Sequence, residues 1–277
     1  MNTVSHAQRV SAASLLLVTA LTSAAHAETV ECTPVTSLPA IISVQGLYCL
    51  TANLATAQSS GNAIEITANN VTLDLNGWKV GGQAAGSATG AIGIYSTANN
   101  VAIQNGIVRG FSVGIYLLGR GAMVQDIVAD QNTATGISVG GTGSVVQGNQ
   151  VVDTGGSTTS ANVYGIYVLG PGSLIQNNLV SGLATASNGR EWGINFDSTA
   201  DQSTGRGNVI SDAARPSAGS FGIHMFSTSA VAVTDNIVTN FSTCVAYVAG
   251  ATGTYSRNTA ISCDTPYSGG TAGSGND

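Results

Sequence analysis

One dipeptide returns along this chain at nearly even steps. Apart from an out-of-step copy at Gly106, Gly-Ile occurs at Gly93, Gly114, Gly136, Gly165, Gly193 and Gly222. From glycine to glycine the steps are 21 (114 − 93), 22 (136 − 114), 29 (165 − 136), 28 (193 − 165) and 29 (222 − 193). Cys244-Val245 then stands 22 beyond Gly222 (244 − 222). The base period is therefore 22, and the longer steps add six or seven (28 − 22 and 29 − 22). A fixed period of this size means a stack of similar units, each burying its apolar side against the next.

The unit is made of strands. Apolar residues alternate in "NVTLDLNG" (Asn70–Gly77), "NVAIQNGIV" (Asn100–Val108) and "AVAVTDNIV" (Ala230–Val238), and alternation is the pattern of a half-buried strand. Three short strands use up one period and leave only corners. A strand that pairs with its own equivalent one period later makes a parallel sheet, and three such sheets wound together make a parallel β-helix with coils about 4.8 Å apart. Composition agrees: 8% charged residues and 36 glycines do not suit the exposed faces of helices.

Two polar columns repeat with the coil. Asn149, Asn178, Asn208, Asn236 and Asn258 each follow a Gly-Ile or its equivalent at a near-constant distance, from 13 (149 − 136) to 15 (208 − 193). Asparagine tolerates left-handed corners and bonds to the next coil through its amide, so this ladder is expected to be structural. Asp74, Gln104, Gln125, Gln147, Gln176 and Arg206 form a second, outward ladder.

The segment 1–27 reads as a secretory leader: Arg9, a short apolar run, then "AHA" at Ala25–Ala27. Cleavage leaves 277 − 27 = 250 residues, with seven basic and fourteen acidic, net −7. Lys79 is the sole lysine, which speaks against nucleic acid as a partner. No later run is long enough to span a membrane, so the mature protein is expected to be secreted or periplasmic and monomeric. In an oxidising compartment Cys32, Cys49, Cys244 and Cys263 allow three disulfide connectivities. The local pairing, Cys32 with Cys49 and Cys244 with Cys263, is the expected one. Zinc is disfavoured by the absence of any Cys-x-x-Cys.

"GLYCLTANL" (Gly46–Leu54), then "NVTLDLNG", then the Gly-Ile coils resemble bacterial right-handed parallel β-helix proteins of the pectate-lyase-like (pectin lyase fold) superfamily, over roughly residues 40 to 263. The resemblance implies an all-β, right-handed, three-sheet solenoid, a hand that also follows the general crossover rule. Residues 28–60 would cap it, 61–263 would form the coil and 264–277 a flexible tail. That superfamily includes lyases, hydrolases, epimerases and non-enzymes.

The residue after each Ile should point outward, making an exposed column of Tyr95, Tyr116, Ser138, Tyr167, Asn195, His224 and Ala246. Two residues on lie Thr97, Leu118, Gly140, Leu169, Asp197, Phe226 and Val248. The extra residues of the long steps fall just before the next Gly-Ile, at 153–164, 181–192 and 211–221, and end in Tyr164, Trp192 and Phe221. Stacked loops beside a long face make a groove for an extended polymer. Tyr95, Tyr116, Tyr164, Trp192 and Phe221, with Glu191, are the expected substrate contacts, since aromatic faces with polar tips suit sugars. His224 is the sole histidine after cleavage, with Asn195 one coil away, Asp197 diagonal to it and Arg190 in the adjacent loop. β-Elimination of a uronate polymer needs a base, an acid and a cation or amide at the carboxylate. His224 and Tyr167 are candidates for base and acid, Asn195 and Arg190 for the carboxylate.

Other chemistries fit less well. Hydrolysis needs two facing carboxylates, and Asp197 with Glu191 or Asp212 is the nearest approach. Calcium-assisted elimination wants several carboxylates, and the outward columns supply only Asp197, so no cofactor is expected. The acidic clusters of calcium-dependent pectate lyases and the Asp pairs of polygalacturonases are not visible. "GFSVG" (Gly110–Gly114) imitates a hydrolase nucleophile turn, but that turn needs a following helix. A non-catalytic cell-surface module is the rival reading.

Overall fold

The computed structural model describes residues 31–186, 188–212 and 219–277. The leader expected at 1–27 lies outside them. Cys32–Asp277 form one unit, a coil of parallel strands. Among the described residues the helical content is a single 3₁₀ turn, Gln83–Ala85.

One face is a ten-stranded sheet carrying the Gly-Ile strands: Ile92–Ser96, Val113–Leu117, Thr135–Val139, Val163–Val168, Glu191–Phe196, Phe221–Phe226 and Thr243–Val248, with two strands before them and one after. The register is that of the repeat. Ile94, Ile115, Ile137, Ile166, Ile194, Ile223 and Val245 pair in sequence and are all buried. The other two faces join into one 18-stranded sheet, because Ala102–Arg109 and Met123–Asp130 run unbroken through the corner between them.

The glycine of each Gly-Ile is needed for space, not for unusual backbone angles. A Cβ on Gly93, Gly114, Gly136, Gly165, Gly193 or Gly222 would lie 2.5–2.8 Å from the carbonyl oxygen of the equivalent residue one coil on. In five of the six it would also press a valine or isoleucine from the opposite side of the coil, such as Val180 against Gly165 at 2.5 Å.

The asparagine ladder is present and longer than expected. Asn178 Oδ1 accepts from both the backbone N–H and the amide of Asn149 (3.0 and 2.9 Å). Its own amide donates to the Val146 carbonyl (2.9 Å) and to Asn208 Oδ1 (3.0 Å). The pattern repeats through Asn236 and Asn258 and ends on Asn276. The left-handed residue is the one before each ladder position (Gly148, Asn177, Gly207, Asp235, Arg257, Gly275), not the asparagine itself. The outward ladder is directional. Gln104 donates to Asp74, each later glutamine donates to the one before, and Arg206 donates to Gln176. A group that only accepts closes one end and a group that only donates closes the other.

The two ladders predict different costs. Asn178→Ala strands the Asn149 N–H and the Val146 carbonyl in a dry interior and should cost about 3 kcal/mol. Gln147→Ala, on the half-buried outward face, should cost under about 1 kcal/mol. Urea unfolding of the two variants against the parent measures both.

The local disulfides Cys32–Cys49 and Cys244–Cys263 are both formed. Residues 32–60 are already coil: Ala40–Ile42 pairs with Asn62–Ile66, and Gly46–Leu50 with Val71–Asp74. Residues 264–277, expected as a flexible tail, are also built into the coil. Thr265–Ser268 pairs with Thr243–Val248, Thr271–Ala272 pairs with Gly253–Ser256, and Asn276 completes the ladder. Their glycines fit because two of them, Gly269 and Gly270, take left-handed angles against Tyr247.

Candidate functional site

The outward column of the ten-stranded sheet runs as its spacing predicts: Tyr95, Tyr116, Ser138, Tyr167, Asn195, His224 and Ala246 pair coil to coil. Its accessibility differs from expectation. Ser138, Asn195, His224 and Ala246 are buried, with His224 7% and Asn195 5% exposed. Tall neighbours cover the imidazole. Its ring lies 4.5 Å from that of Phe221, 6.1 Å from Trp192 and 6.3 Å from Phe226.

Tyr164, Trp192 and Phe221 are not loop ends but strand residues paired to each other, forming a second column beside the first. Tyr164 stacks on Trp192 at 4.7 Å and 7°, and on Tyr167 at 4.7 Å and 25°. Trp192 is largely buried and its Nε1 lacks a partner among the described residues. Tyr95 and Tyr116 meet edge to face at 5.8 Å, farther along the same face.

The loops of the first two long coils stack as a wall. Gly155 bridges to Ala184, the Val163 N–H donates to the Arg190 carbonyl, and the Arg190 N–H donates to Asn162 Oδ1. Of the third loop, residues 213–218 lie outside the described ones. Wall and columns enclose a cleft of about 360 Å³ that brings together Tyr164, Tyr167, Arg190, Trp192, Asn195, Asp197, Phe221 and His224. Phe226 and Val248 also line it. They belong to the outer column, but their apolar side chains gave no chemical signal in the sequence.

Glu191 does not join this group. It is a strand residue rather than loop, 5% exposed, and its Oε1 accepts the Thr185 N–H at 3.0 Å. Burial raises its carboxyl above the ordinary range. It anchors the loop that carries Arg190, and it is not a substrate contact in this arrangement.

Two polar pairs define the floor. His224 Nδ1 lies 2.5 Å from Asn195 Oδ1. An amide oxygen only accepts, so Nδ1 carries the proton and Nε2 keeps its lone pair. Burial, with the positive Arg190 adding to it and Asp197 opposing, pushes the imidazole down to about 4. His224 is uncharged at neutral pH. The Tyr167 hydroxyl donates to Asp197 Oδ2, and burial first, then that bond, holds the phenol far above its usual range. Burial and the Asp197 charge raise Tyr164 as well. Arg190 is exposed at the rim, and its guanidinium forms no ion pair among the described residues.

Among the described residues, Asp197 is the one carboxylate lining the cleft. No three described His, Cys, Asp or Glu side chains converge as a metal site. No described helix is long and apolar enough to cross a membrane.

Comparison with known proteins agrees with this architecture. The A-module of a mannuronan C-5 epimerase from Azotobacter vinelandii superposes with a TM-score of 0.54 at 14% identity, over 84% of this chain and 82% of that one. A mutant tailspike protein of E. coli bacteriophage HK620, in complex with pentasaccharide, superposes with a TM-score of 0.53 at 12% identity, over 82% of this chain. This chain spans 58% of that tailspike's length. No curated protein sequence matches. Identities this low establish a shared fold and nothing finer. The pattern of the family described as "right handed beta helix region" matches residues 91–261, more than half of the chain, and the chain belongs to that family.

Proposed function

We propose that this chain is exported and binds an acidic extracellular polysaccharide along the cleft, cleaving it by β-elimination. The reading rests on one juxtaposition: an uncharged, Asn195-held histidine with a free Nε2 lone pair, in the same cleft as the Arg190 guanidinium. Arg190 and the Asn195 amide bind the uronate carboxylate. His224 Nε2 removes the proton from the carbon beside it, and the developing charge spreads into the bound carboxylate. Tyr167 is protonated, as a general acid must be. Its O–H turns from Asp197 to the leaving oxygen as the C–O bond breaks and the C=C bond forms. Hydrolysis is disfavoured, since among the described residues no second carboxylate faces Asp197 in the cleft lining. The neighbours solved with a pentasaccharide or named for mannuronan support a sugar polymer as the ligand class.

The test is a panel of acidic and neutral polysaccharides incubated with the mature protein. Ultraviolet absorbance from unsaturated uronate is the expected product signal. New reducing ends without it would mean hydrolysis. Binding with no product would leave a non-catalytic surface module.

A further inference from the structure

The outward column has a gap. Tyr116 and Tyr167 flank Ser138 in register, one coil to either side. A serine between two tyrosines leaves room for about one side chain, and the space is a hollow of about 200 Å³ lined by Val113, Tyr116, Thr135, Ser138, Tyr164 and Tyr167. None of these carries a charge. Ser138 is 3% exposed, and its Oγ finds no hydrogen-bond partner among the described residues. An unpaired buried hydroxyl is unfavourable, because it gives up its water without gaining a partner. The fold does not require one, because Ala246 holds the same column position four coils on.

Tyr164 and Tyr167 line both this hollow and the cleft of His224, so the two are contiguous and a single bound chain would reach both. Ser138 and His224 are three coils apart, about 14 Å, which separates the hollow from the base along the polymer. Asp197, bonded to the shared Tyr167, would repel a second uronate.

We propose that the hollow at Ser138 is a second sugar subsite, built for an uncharged pyranose ring. The ring stacks its C–H face on the tyrosines and gives Ser138 the partner it lacks. This rests on the polysaccharide reading above and narrows it to polymers in which a neutral sugar neighbours the uronate.

Calorimetry with two tetrasaccharides tests it: a hyaluronan fragment, in which uronate and neutral hexosamine alternate, and an oligogalacturonate, all uronate. The alternating probe should bind about tenfold more tightly. Ser138→Tyr, which continues the tyrosine column and fills the hollow, should remove that advantage and leave the galacturonate affinity unchanged. Ser138→Ala, which needs no added space, should remove part of it and carries the test if the tyrosine disturbs folding. Equal binding of the two probes, or an alternating probe indifferent to both Ser138 variants, overturns the subsite. If Arg190→Ala still weakens both probes in that case, the cleft reading survives alone. Binding of neither probe, or indifference to Arg190→Ala as well, removes both.

Discussion

Replacing His224 with alanine should lower eliminating turnover about 10³-fold, within the range for loss of a positioned general base, while leaving the protein folded. The imidazole contacts the three rings around it and Asn195, but the strand that carries it is held by Ile223 and the backbone pairing on either side. Its protonation gives a second, activity-independent readout. The folded-state pKa, near 4, lies below the ordinary value of about 6.5. Between those values the unfolded chain binds a proton that the folded chain does not, so stability rises with pH there. The contribution is fully present above about pH 6.5 and is lost as pH falls through about 4, with a total on the order of 3 kcal/mol. His224→Gln, which cannot take the proton, should flatten that part of the stability profile. Eliminating activity should likewise fall as the pH drops through about 4. An Ala variant with parental turnover would remove His224 from the chemistry, and unchanged pH dependence in the Gln variant would mean the imidazole is solvated.

Gly165→Val should prevent folding. The first added carbon already meets the Gly193 carbonyl oxygen and Val180 Cγ1, both at 2.5 Å. Neither can retreat: one is backbone fixed in the sheet and the other fills the core. Gly165→Ala alone should cost about 3 kcal/mol, the upper part of the usual overpacking range, which lowers the melting temperature by roughly 10 °C in a chain this long. Gly143→Ala is the control. There φ is +70° and nothing lies within 4 Å of the added carbon, so only the left-handed penalty of about 1 kcal/mol remains. If the two alanine variants melt together, interior crowding is not why the dipeptide repeats.

Much of this molecule was legible because its contacts are periodic. In a coil of parallel strands, residues one period apart touch, so a column written in the sequence becomes a column in space. The Ile stack, the Asn149–Asn258 ladder, the Gln104–Gln176 ladder and the order Tyr167, Asn195, His224 all follow from that rule. The ladder's last member, Asn276, escaped because its step from Asn258 is only 18, and its Gly- and Ser-rich surroundings read as a tail. The burial of His224, the inward turn of Glu191 and the hollow at Ser138 were not legible either. They depend on the sizes of neighbours in adjacent columns and on side-chain torsions that no spacing records.

The sequence alone therefore determined the coil, its register and which residues share a face, since a repeat converts chain distance into spatial distance. Only the tertiary structure decided which of those side chains reach solvent, that Asn195 orients the histidine and that Asp197 takes the hydroxyl of Tyr167. Those pairings arise from contacts across columns, where side-chain volume and desolvation, not period, set the outcome.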